Sequence, residues 1–81
     1  MAQNDDATEQ QHYSIVIEWS DEDQAYVVIL PEWDGRYLMP VASGASYDEA
    51  LARGVNALEH MIEVASTDGE QLPAPRVFTA A

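Results

Sequence analysis

The chain has no cysteine and no lysine, and three arginines are its only basic side chains apart from two histidines. Without cysteine there is no disulfide, no thiolate metal site and no thiol nucleophile. Against the three arginines stand 15 Asp plus Glu, for a formal charge of -12. That charge repels a phosphate backbone, so direct nucleic-acid binding is not expected. An acidic surface either steers a basic partner into contact or keeps a small protein soluble. No apolar run approaches the roughly 20 residues that span a bilayer. The opening residues, MAQNDDATEQQH, lack the basic start and apolar middle of a secretory signal. A cytoplasmic protein without a membrane partner is the expectation. At 81 residues there is room for one domain, of a size that is marginal by itself, and self-association would add stability.

The apolar pattern starts abruptly. Residues 1–11 are polar and read as a disordered tail, and residues 12–79 as the single domain. Tyr13, Ile15, Ile17 and Trp19 alternate with Ser14, Val16 and Glu18, the period-two signature of a half-buried strand. Ser20-Asp21-Glu22-Asp23-Gln24 is a polar hairpin loop, and residues 26–30 are a β-branched and aromatic run suited to a central strand. Pro31 ends that strand, and Glu32-Trp33-Asp34-Gly35 reads as a turn. Residues 36–42 form a weaker strand, with Tyr37, Met39 and Val41 on one face, Pro40 suggesting an edge or bulge, and Gly44 breaking the segment.

A helix over residues 47–67 follows. Ser46 and Glu49 fit a capping box, and Gly69 supplies a left-handed C-terminal cap. Tyr47, Leu51, Val55, Leu58, Ile62 and Ala65 recur as one apolar stripe, while Glu49 and Arg53 make an i,i+4 pair on the solvated side. Gly54 lies beside the stripe, and a close approach of helix to sheet would explain a residue that costs about 1 kcal/mol relative to alanine. Arg76-Val77-Phe78 is long enough for a last edge strand. The expected fold is α+β, a three- to four-stranded antiparallel sheet with one helix on a face, in the order βββαβ.

The chemistry-bearing residues are sparse. Asp21, Glu22 and Asp23 lack the glycine and spacing of a calcium loop, and a solvated turn that discourages edge pairing is the simpler reading. A ribonuclease-H-type nuclease needs carboxylates converging from several strands and the helix. Glu18 and Asp48 or Glu49 are the candidates, but the last strand offers no acid. His12 and His60 are not spaced to share a metal or to activate a nucleophile. There is no glycine-rich phosphate loop. No catalytic residue, metal ligand or cofactor is therefore expected. Trp33 and Tyr37, flanked by Glu32, Asp34 and Arg36, can anchor a protein interface, although Trp33 can equally fold back over its own sheet.

In their order these segments resemble the HicB-like antitoxin family. The matching pieces are Tyr13-Ser14-Ile15-Val16-Ile17-Glu18-Trp19, the acidic turn, Leu30-Pro31-Glu32, Gly44 shortly before Ser46-Tyr47-Asp48-Glu49-Ala50-Leu51, and Leu72-Pro73-Ala74-Pro75. The resemblance implies a partial ribonuclease-H-like fold without nuclease activity. It also implies a partner, a small basic HicA-like toxin that cleaves RNA and whose active site the antitoxin masks. Many members continue into a helix-turn-helix or ribbon-helix-helix domain; this sequence stops at Ala81, so DNA binding is not carried over. The loop over residues 35–44 is longer than the common family turn. The expected partner-binding residues are Glu18, Asp21, Glu22, Asp23, Glu32 and Asp34 through charge, with Trp33 and Tyr37 as apolar anchors. Edge strands can pair between subunits, so a homodimer or larger even-numbered assembly is expected. A stand-alone regulatory module, or a metal-dependent nuclease, are the alternative functions.

Overall fold

A computed structural model describes residues 12–80; the tail read over residues 1–11 lies outside the described residues. Two strands form the hairpin, β1 (Val16–Ser20) and β2 (Ala25–Ile29), in register from Val16 opposite Ile29 to Ser20 opposite Ala25. The four polar residues between them close the turn with their own side chains. The Ser20 hydroxyl accepts from the Asp23 amide at 3.2 Å, and the Gln24 side chain donates to the Asp21 carbonyl at 2.7 Å. Gln24 takes the left-handed conformation, φ 54°. The first strand starts at Val16, three residues later than the alternation from Tyr13 suggests. Ser14 is the reason, because its amide is donated to the Glu32 carboxylate at 3.1 Å instead of to a neighbouring strand.

The third strand departs further from expectation. It is β3 (Ala42–Gly44), not residues 36–42. After a short 3-10 turn (Pro31–Trp33), the Arg36 and Tyr37 amides both donate to the Trp33 carbonyl, which curls the chain away from the sheet. Pro40, with no N–H, follows a cis bond from Met39. Pairing begins only where the Val41 amide reaches the Val28 carbonyl at 3.0 Å. Gly44 does not break the strand but ends it opposite Tyr26. A Cβ there would stand 2.5 Å from the Ala50 nitrogen, so glycine is what lets the helix start this close to the strand. The sheet order is β1-β2-β3, antiparallel throughout.

The helix α1 (Tyr47–Asp68) fits its sequence signals at both ends. The Ser46 side chain accepts from the Glu49 amide at 3.1 Å. Glu49 reaches back one residue beyond the usual capping-box partner, to the Ala45 amide at 2.6 Å. Gly69, φ 73°, stops the helix, and the next amide, Glu70, donates to the Ala65 carbonyl at 2.9 Å. No helix among the described residues is long and apolar enough to cross a membrane.

The helix is rotated relative to the expected stripe. Its buried residues are Ala50, Gly54, Met61 and Ala65, whereas Tyr47 and Leu51 stay exposed. Gly54 sets this rotation, because a Cβ on it would lie 2.7 Å from Cγ1 of the fully buried Val28. The close helix-to-sheet approach expected from this glycine is present. Val28, Leu30 and Trp33 complete the buried cluster with those helix residues, and Tyr13, Ile15, Ile17, Leu58, Ile62 and Leu72 pack around it.

The expected last strand does not form. Residues 70–80 take no regular secondary structure, and Val77 and Phe78 stand exposed. Arg76 is tied to Glu32 by a side-chain acceptor, and no strand takes up the backbone of the residues beyond it. The observed order is therefore βββα.

Candidate protein interface

The residues singled out in the sequence divide into two groups at opposite ends of β2. At the hairpin end, Asp21, Glu22 and Asp23 are all exposed, and Glu18 projects from β1 onto the face of the sheet that carries no helix. Opposed pairs in an antiparallel ladder share a face. Glu18 thus sits beside Val27, and Val16 beside Ile29, on the helix-free side. The acids hold hydrogen bonds to neutral donors. Asp21 accepts from the Trp19 indole N–H at 3.3 Å, and Asp23 from the Ser20 hydroxyl at 3.2 Å. Among the described residues the one ion pair is Arg53 with Glu49, at 3.0 Å on the helix. The hairpin tip keeps its negative charge uncompensated, and that charge is available to a cation from outside.

At the other end of β2 the geometry is different. Trp33 is 1 % exposed, with Tyr13 edge-on at 5.5 Å, Tyr37 at 6.1 Å and the Arg36 guanidinium 5.6 Å from its ring centroid. Of the two readings open for Trp33, the fold-back over its own sheet is the one adopted, so it offers no surface to a partner. Its indole N–H is buried without a hydrogen-bond acceptor. Tyr37 and Asp34 are exposed, and Tyr37 lines an open cleft of about 690 Å³ with Arg36, Val64, Asp68, Glu70 and Gln71. This cleft is wide open and lined about equally by polar and apolar surface, unlike the enclosed, mainly apolar pockets that hold small ligands.

Glu32 is occupied inside the protein. Its carboxylate accepts from the Ser14 amide at 3.1 Å, the Ser14 hydroxyl at 3.1 Å and the Arg76 amide at 2.8 Å. Partial burial pushes this carboxyl up. The bonds from Arg76, from its own amide and from Ser14 outweigh burial and hold it below its ordinary value. Glu32 thereby clasps the approach to β1 to the segment after the helix. Nearby, burial and the Glu32 charge push the Tyr13 hydroxyl up, partly offset by Arg36; that hydroxyl donates to the Pro73 carbonyl at 2.6 Å. The clasp left no mark in the sequence beyond an isolated Glu after a proline, because its donors are 18 and 44 residues away.

Among the described residues no three His, Cys, Asp or Glu side chains converge where a metal ion could be held. Comparisons with protein-family models, curated proteins and solved structures returned no match.

Proposed function

We propose that this chain is a HicB-like antitoxin whose acidic hairpin end binds a small, basic, RNA-cleaving toxin of the HicA-like kind and masks its active site. The carrying observation is the exposed and uncompensated cluster Asp21, Glu22 and Asp23 beside Glu18 on the helix-free face. A cation-rich partner gains Coulomb attraction there without displacing an internal ion pair. Val16 and Ile29, half-buried on the same face, supply apolar contact behind the charges. Glu32 and Trp33 take no direct part in this reading, since one clasps the chain and the other is buried; Asp34 and Tyr37 lie at the far end of β2 and are secondary.

The decisive experiment is co-expression with a short basic protein encoded beside this gene, read by pull-down and by rescue of RNA cleavage. Capture together with suppressed cleavage is expected. Absence of both sinks the proposal. A triple substitution of Asp21→Asn, Glu22→Gln and Asp23→Asn should slow association at least about tenfold at low salt and flatten its salt dependence, while dissociation changes less. Magnesium- or manganese-dependent RNA cleavage by this chain itself, abolished in Glu18→Gln, would replace the antitoxin reading with the nuclease one.

A further inference from the structure

The sheet is too narrow for its helix. α1 packs on β3 and β2 and barely on β1, and on the β3 side Arg53 closes the flank by donating to the Ser43 carbonyl at 3.0 Å. The other flank is apolar and half open. Tyr47 is 63 % and Leu51 45 % exposed, and helical spacing continues that line through Val55, Leu58 and Ile62. Facing them, Trp19 is 49 % exposed on β1 and stacks on Tyr26, which in turn stacks on Tyr47. The result is an apolar trough between β1 and the helix. Its floor ends at the outer edge of β1, which no described residue pairs. A fourth strand laid along that edge would close the trough.

The chain carries a segment of matching chemistry. After the helix, Leu72 packs on the core, Pro73 is held by Tyr13 and Arg76 by Glu32, so the root of the segment is fixed. Beyond that root Val77 is 73 % and Phe78 90 % exposed. In a chain of formal charge -12, residues 71–80 contain one arginine and no acid. The trough has acids on both rims, Asp21 beside Trp19 and Asp48 and Glu59 beside the helix line. Arm and trough are therefore complementary in charge and in hydrophobicity. Within its own chain the arm leaves the β1 edge empty although Glu32 holds it beside Ser14.

We propose that residues 76–78 of one chain add as a strand to the outer edge of β1 in a second copy, with Phe78 covering Trp19 and Leu51, reciprocally about a two-fold axis. The backbone supplies ladder bonds, Phe78 supplies burial, and Arg76, two residues away on the same face, meets the acidic rim; Val77 turns to the other face. Leu51 and Phe78, the residues altered in the test, lie outside the acidic cluster proposed for toxin binding, so dimerisation and toxin binding are measured separately.

The test uses the full chain and two single variants, Phe78→Asp in the arm and Leu51→Asp in the trough, followed by sedimentation over a concentration series. Wild type should form a dimer, and each variant should raise its dissociation constant at least about tenfold with unchanged circular dichroism. Mixing the two variants should restore dimer in part, because the mixed pair retains one intact arm and one intact trough. A monomeric wild type overturns the proposal, as does a dimer indifferent to both substitutions. Failure of the mixture to recover dimer also overturns it.

Discussion

Two glycines and one glutamate show how single residues set this structure. Gly54 and Gly44 stand where the helix touches the sheet, but a Cβ at each would meet different matter. At Gly54 it meets a methyl of Val28, a stiff β-branched side chain that is fully buried. Gly54→Ala gains about 1 kcal/mol of helix propensity and loses about 1–3 kcal/mol to overpacking. A small net destabilisation is expected, measurable as a lower urea midpoint at constant slope. At Gly44 the added Cβ meets backbone of Ala50 that cannot rotate away. Gly44→Ala should therefore cost more than Gly54→Ala in the same titration, and equal midpoints for the two variants would refute this account. Glu32 can be tested by pH. Its folded-state value is depressed, so its stabilising contribution is present above the ordinary carboxylate value and is lost as pH falls through the depressed one. Glu32→Gln should lower the melting temperature at neutral pH and narrow its distance from wild type as the solution is acidified. A gap that persists in acid would mean the carboxylate charge is not what matters.

At the scale of elements, the hairpin and the helix were legible because their signals are local. Alternation, a polar turn, the Ser46 cap and the Gly69 stop all act within one or two turns of chain. Ser46→Ala should cost about 1 kcal/mol, seen as a lower melting temperature with little change in helical signal at low temperature. The third strand lies beyond its expected place because periodicity at Tyr37, Met39 and Val41 is compatible with a strand, while the Trp33 carbonyl and Pro40 decide otherwise. The buried face of the helix differs from the expected stripe for a related reason. An arc that is apolar from Ala50 round to Leu51 and Val55 can be centred in more than one way, and only the Gly54–Val28 contact fixes the rotation. The same width leaves the flank at Tyr47 and Leu51 open.

Over the whole molecule, charge and topology act together. The acids at the hairpin tip lie far along the strands from Glu32, so the eight expected partner-binding residues are spread over both ends of β2. Four of them, Glu18, Asp21, Glu22 and Asp23, remain together; Trp33 has gone into the core and Glu32 into a clasp. The composition predicts a strong dependence of any partner association on ionic strength, and a stopped-flow series from low to physiological salt would measure it. By itself the sequence determined the hairpin, the capped helix, the α+β class and the acidity of the surface, because each follows from neighbours in the chain or from composition alone. Tertiary structure decided the fate of Trp33, the bonding of Glu32, the rotation of the helix and the open edge of β1. Each of these depends on which distant residue arrives beside it, and packing chooses among partners that local pattern leaves equivalent.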